Sequence, residues 1–229
     1  MLQKYISKIH YTPLQIAVHV YAWSEIVFLL YDFFTHQLTA NPIQALEQRT
    51  GLHALTLLIL SLACTPLNTL LGWRELLKRR RALGLYGFMY AAIHISIFLG
   101  LDFGFMWGLI LQSILEKPYI VYGLSTFLLL IPLAVTSFDI WKVRLGKNWK
   151  RLHQIVYFIV PLGALHYALS VKGDIFHLEG DIARPLIYSL AIIVLLLLRI
   201  SFIRRFFASI RTRIRFTFSP PIAPSKNRV

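Results

Sequence analysis

Long apolar runs fill this chain and are interrupted at regular intervals by short polar, basic stretches. A helix needs about 20 apolar residues to cross a bilayer, because each adds about 1.5 Å and the hydrocarbon core is about 30 Å thick. Six segments satisfy this, and the pattern predicts spans near residues 14–34, 52–71, 83–101, 119–138, 152–171 and 185–203. Leu83–Leu101, Tyr119–Phe138 and Leu152–Val171 contain no Asp, Glu, Lys or Arg, and Leu52–Leu71 is interrupted only by His53. The first span carries His19, Glu25 and Asp32, and the last tolerates Arg199, whose side chain is long enough to snorkel toward the headgroups. Asp102–Glu116 is apolar, holds two glycines and follows a full span, so it reads as an extension, an interfacial helix or a re-entrant piece. No domain-separating linker, low-complexity run or internal repeat is visible. The expected fold is an all-α, polytopic six-helix membrane bundle over residues 1–205, with a basic tail over 206–229.

Composition agrees with that pattern. At 57% hydrophobic and 15% charged, with a mean hydropathy of +0.62, the 229 residues are too apolar for an ordinary soluble domain. The net charge of +14 would suggest nucleic acid in a soluble chain, so the placement of the charges decides its meaning. Twenty of the 24 basic residues fall at the N-terminus, in the loop holding Arg74 and Lys78–Arg81, in the loop from Lys142 to Arg151, and from Arg199 onward. Only Arg49, Lys117, Lys172 and Arg184 remain for the opposite side. Short cytoplasmic loops collect Lys and Arg, which places both termini in the cytoplasm. Basic residues in every second loop, and not in one patch interleaved with aromatics, exclude a nucleic-acid partner and leave the lipid bilayer as the surface they face. The first apolar stretch is as long as a span and polar within, and is expected to be retained, not cleaved. The one cysteine, Cys64, excludes an internal disulfide and any cysteine-based zinc or iron–sulfur centre.

Eight histidines are then the plentiful soft-nitrogen ligands. An ionisable group inside the hydrocarbon needs a partner, and three histidines stand out: His94 in the third span, and His153 and His166 in the fifth. Both spans run outward from the cytoplasm, so depth is counted from the last basic residue before each. His94 lies 13 residues after Arg81, His166 lies 15 after Arg151, and His153 only 2 after Arg151. Two imidazoles at matched depth on different helices suit an axial pair on a haem iron, whose apolar faces would rest against Leu, Ile and Phe. His153, about 20 Å along its helix from His166, is too distant to share that iron and is a candidate ligand for a second haem. Arg80, Arg81, Arg144, Lys147 and Lys150 are placed to neutralise haem propionates, Arg81 foremost. The competing reading makes each histidine an interhelical hydrogen-bonding or proton-relay residue. His19 has no same-face partner on its own helix, His53 sits at an interface, and His10, His36 and His177 fall in aqueous segments. Trp73, Trp107, Trp141, Trp149, Tyr11 and Tyr119 flank spans as belt anchors.

The stretches RRRALGLYGFMYAAIHISIF at Arg79–Phe98, KPYI at Lys117–Ile120 and LGKNWKRLHQIVYFIVPLGALHY at Leu145–Tyr167, with Thr50-Gly51 and Thr65–Leu67, resemble the MsrQ (formerly YedZ) family. That family lies within the ferric-reductase-like transmembrane superfamily. The resemblance implies a bacterial inner-membrane, haem-binding subunit of a protein-methionine-sulfoxide reductase system, with one or two haem b groups and flavin mononucleotide (FMN). It implies electrons drawn from quinol or a cytosolic flavin reductase and delivered to a periplasmic molybdopterin enzyme, MsrP, that repairs oxidised proteins. The family's functional histidines map to His94, His153 and His166, and no residue is assigned to the flavin. In two-haem relatives each of two helices carries two histidines, paired inner with inner and outer with outer. Here the second ligand past His94 would fall at Trp107 or Gly108, so His94 paired with His153 stays open beside His94 paired with His166.

The expected function is transmembrane electron transfer with substrate chemistry on the partner. One rival is a stand-alone ferric or cupric reductase, although the chain carries no flavin–nicotinamide module. The run Gly84-Leu85-Tyr86-Gly87 lacks the spacing of a dinucleotide fingerprint. A second rival is a non-redox scaffold whose basic loops hold anionic lipid.

Overall fold

A computed structural model describes residues 11–171, 173–174, 179–180, 182–206 and 209. His10, His177, Lys172 and most of the expected basic tail lie outside these described residues. The predicted bundle is present. Helices α1 (Pro13–Phe34), α2 (Pro42–Leu71), α3 (Glu75–Ile97), α5 (Pro118–Val135) and the joined pair α7 (Lys147–Gln154) and α8 (Val156–Ser170) supply five rods long and apolar enough to span a membrane. The sixth apolar helix, α9 (Ala183–Leu197), is shorter than the expected 185–203. Its 15 residues reach about 22 Å, and the chain turns at Leu198–Ile200 before a further helical stretch over 201–206. A two-residue antiparallel pairing of Gly173–Asp174 with Glu179–Gly180 closes the loop before it.

The helix ends follow from local chemistry. Thr12 caps α1 and Asn41 caps α2, each side chain accepting from the backbone N–H three residues on, with proline at the first helical position. Gly72, at φ 72°, ends α2 in the left-handed conformation that a side chain disfavours. Past α3 the helix widens into a π-helical turn over Phe98–Asp102. The chain then reverses through Gly104 and Phe105, both at positive φ, into α4 (Trp107–Glu116). Of the three readings open for Asp102–Glu116, the structure combines a short extension with an amphipathic helix that leaves Trp107, Leu111 and Leu115 exposed. A short helix, α6 (Asp139–Leu145), lies in the basic loop after α5.

Helix α2 is the axis of the bundle, half buried along its apolar window where the other spans bury about a fifth. On one side Ala54, Leu57 and Cys64 pack with Val18, Ala22, Leu83 and Tyr90 of α1 and α3. On the other, Leu55, Leu58 and Leu62 pack with Leu130, Leu133, Ile159, Val160 and Ile192 of α5, α8 and α9. The outward faces of all these rods stay apolar, with Val20, Phe28, Leu128, Phe158, Ile187 and Leu190 exposed, as a surface solvated by lipid requires. Polar ties fix the thinly packed α1: Arg49 of α2 bridges Glu25 and Asp32, and the fully buried Tyr90 donates its hydroxyl to the Ala22 carbonyl at 2.6 Å.

His53, expected at a membrane interface, is packed within the protein. It is buried on α2, its ring between Tyr21 and Tyr90 at 4.8 and 4.4 Å. His19 finds its partner on another helix, 2.7 Å from the Tyr86 hydroxyl. Tyr90→Phe removes the α3-to-α1 hydrogen bond while keeping the ring. It is expected to cost about 1 kcal/mol, read as a lower unfolding midpoint in detergent; an unchanged midpoint would show that apolar contact alone docks α1.

Candidate metal centre

The third and fifth spans bring His94 and His166 ring to ring. Their centroids are 6.1 Å apart with planes inclined at 72°, and both imidazoles are half-buried. Nδ1 of His94 lies 2.9 Å from the Glu47 carbonyl oxygen, and Nδ1 of His166 lies 2.7 Å from that of Tyr119. A carbonyl only accepts, so each Nδ1 carries the proton and donates it. The lone pair is thereby left on Nε2, the form in which neutral imidazole binds a metal. Among the described residues neither Nε2 has a hydrogen-bond partner.

Glycines make this approach possible. A Cβ on Gly51 would stand 3.1 Å from the His94 ring, and one on Gly123 would stand 2.7 Å from the His166 ring. Each histidine therefore lies flat against the backbone of the neighbouring helix, α2 for His94 and α5 for His166. The carbonyl it bonds is four residues before the glycine, on the same helical turn.

The two arrangements are copies. Glu47, Gly51 and His94 recur 72 residues later as Tyr119, Gly123 and His166, so α2–α3 and α5–α8 are equivalent hairpins. The sequence trace is faint: Gly-Leu at 51–52 and 123–124, Leu-Leu-Ile at 57–59 and 129–131, and Ala92 and His94 against Ala164 and His166.

His153 stands apart from this pair. Its Nε2 is 3.0 Å from the Thr136 hydroxyl oxygen, and that hydroxyl already donates to the Pro132 carbonyl, so His153 Nε2 is the donor. Trp149, expected as a belt anchor, stacks on His153 at 4.1 Å and donates to the Thr136 carbonyl. Of the two pairings left open, the structure brings His94 together with His166 and leaves His153 with Thr136 and Trp149. The 72-residue shift places Arg81 of the first hairpin at the position of His153. Arg81 is bonded to Asp139 at 3.2 Å and lies over the Phe138 ring, about 20 Å along α3 from His94, and so does not reach the histidine pair.

The separation of the two rings fits a metal held between them. Two metal–imidazole bonds of about 2 Å each, and about 1 Å from each ring centre to its nitrogen, put the centroids about 6 Å apart, which matches the observed separation. Among the described residues no group of three or more His, Cys, Asp or Glu surrounds a single point, so a bare-metal cage is absent there and the equatorial ligands would have to come from a cofactor.

The fold and this histidine pair define a multi-pass membrane protein of the ferric-reductase kind. Residues 50–164 match the family described as "Ferric reductase like transmembrane component". Similar curated proteins carry the name protein-methionine-sulfoxide reductase heme-binding subunit MsrQ. The one from Xanthomonas campestris pv. campestris (strain 8004) is 39% identical over 214 residues, covering 91% of this chain and 94% of its own. That from Caulobacter vibrioides is 38% identical over 195 residues, 85% of this chain and 90% of its own. That from Xanthomonas axonopodis pv. citri is 43% identical over 164 residues, 69% of this chain and 75% of its own. The chain belongs to the MsrQ family within the ferric-reductase-like transmembrane proteins.

Proposed function

We propose that this chain is a haem b electron-transfer subunit of a methionine-sulfoxide reductase system in the bacterial inner membrane. The observation that carries the proposal is the facing of His94 and His166 with both Nδ1 protons committed to backbone carbonyls and both Nε2 lone pairs free. Bound between them, an iron porphyrin supplies reversible one-electron chemistry. His94 and His166 would hold the iron, and a haem held by two imidazoles would carry electrons and not bind dioxygen or substrate at the metal. The Glu47 and Tyr119 carbonyls hold the rings in orientation and raise their basicity as ligands. Gly51 and Gly123 keep the rings against the helices.

The basic loops orient the bundle with its termini in the cytoplasm, so the histidine pair, in the C-terminal halves of the outward-running α3 and α8, lies toward the periplasm. Electrons enter from quinol or a cytosolic flavin reductase and leave to a periplasmic MsrP-type molybdopterin enzyme, which performs the sulfoxide chemistry. FMN belongs to this reading through the family resemblance, with no residue assigned to it. His153 ligates a second haem only by leaving Thr136 and Trp149, so the first site is the His94–His166 one.

Pyridine haemochrome and electron spin resonance on purified variants test the assignment. His94→Ala and His166→Ala are expected to lose the low-spin haem signal and His153→Ala to keep it; unchanged haem in all three rejects the site. The glycines give an independent check. Gly123→Ala drives a methyl group into the His166 ring and is expected to lower the haem-to-protein ratio severalfold, whereas Gly51→Ala, with its wider gap, lowers it less. Equal, full haem content in both would show that the rings do not need the close approach.

A further inference from the structure

Helix α4 divides its surface three ways. At about 100° per residue, Ile110 and Ile114 share one face, Trp107, Leu111 and Leu115 the next, and Gln112 and Glu116 the third. Ile110 is only 3% exposed, and the helix packs against α5. The second face is apolar yet open, with Trp107 62%, Leu111 61% and Leu115 85% exposed. On the third, the Gln112 side-chain amide donates to the Glu116 carboxylate at 2.7 Å, one turn away. Leu109, at the edge of that face beside Glu116, is half exposed. A helix surrounded by water would hide the second face, and one surrounded by hydrocarbon would have no use for the third. The three faces together require protein on one side and a boundary between oil and water on the other.

The open apolar face does not end with the helix. Leu101, Phe105 and Met106 expose their side chains on the turn leading in, and Val121 does so on the first turn of α5 leading out. Val121 belongs to the outward apolar surface of α5 that continues to Leu128. The face is thus continuous with the surface that lipid solvates, at the end of the bundle away from the basic loops. Indole rings concentrate at that level of a bilayer, and Trp107 opens the helix. The ten residues of α4 include no Lys or Arg, so its hold on a membrane is apolar and not a charge attraction to anionic headgroups.

We infer that α4 is a membrane-surface anchor, lying in the outer leaflet at the boundary between acyl chains and headgroups, with Trp107, Leu111 and Leu115 in the lipid and Gln112 and Glu116 toward water. Its role follows from what it joins. It follows the π-helical turn at the end of α3 and leads through Lys117 and Pro118 to Tyr119, whose carbonyl receives the His166 N–H at 2.7 Å. A helix held at one depth fixes the height at which α5 begins, and with it that carbonyl. The anchoring stands apart from the haem assignment, because the depth of α4 is set by its own side chains.

The test uses the full-length protein in phosphatidylcholine nanodiscs, with a nitroxide spin label on one introduced cysteine at a time: Leu111→Cys, Leu115→Cys, Gln112→Cys or Glu116→Cys. The native Cys64 is buried and stays unlabelled. Power saturation compares oxygen, which concentrates in hydrocarbon, with a water-soluble nickel chelate. The oxygen-to-nickel accessibility ratio for labels replacing Leu111 and Leu115 is expected to exceed that for labels replacing Gln112 and Glu116 severalfold, with or without added phosphatidylglycerol. A low ratio at all four positions overturns the inference and leaves the apolar face in water, open to a soluble protein. A high ratio at all four overturns it by placing the helix within the hydrocarbon, and a contrast that appears only with phosphatidylglycerol overturns the apolar hold.

Discussion

The structure turns on one hydrogen bond made twice: an imidazole N–H reaching the backbone carbonyl of an adjacent helix. That carbonyl already accepts from the N–H of the glycine four residues on, and its second lone pair is open only to a group lying against the same turn. A side chain at that position would fill the space, which is why Gly51 and Gly123 stand there. The same bond fixes the tautomer, the ring plane and the distance between helices. Packing and chemistry are set by a single contact, since α3 cannot shift along α2 without carrying the His94 lone pair away from its counterpart.

The correspondence between the two halves of the site is local. The two hairpins supply equal halves at the level of His94 and His166, and unequal ones at the level of His153, where the first hairpin has Arg81. His153 is instead absorbed into a local cluster with Thr136 and Trp149, and its side of the bundle is dominated by arginines.

Much of this was legible in the sequence, for reasons that also mark its limits. The spans could be read because lipid admits few alternatives to an apolar helix. The match in depth between His94 and His166 could be read because both hairpins rise from basic loops on the same side and position along a rod is simple arithmetic. Rotation about the rod was not legible. A span that is apolar all round carries no amphipathic stripe to say which face meets a neighbour. Hence the packing of His53 between Tyr21 and Tyr90, the carbonyl partners and the glycine cradles stay hidden in the sequence although their residues lie in plain view. Arg199 was read as snorkelling outward because sequence shows only a charge near a span's end. The Leu62 carbonyl that draws it inward is freed by Pro66, 133 residues earlier.

These features meet on α2. Its Glu47 carbonyl orients one half of the histidine pair, and its Leu62 carbonyl holds Arg199 fifteen residues further along, about 22 Å by the helical rise. Between them the helix is packed on both sides, against α1 and α3 on one and α5, α8 and α9 on the other. A rod held this way transmits an axial or rotational shift along its length, because a close-packed interior resists local deformation. Pro66, the proline inside α2, frees the Leu62 carbonyl that Arg199 takes, at the far end of the helix from Glu47.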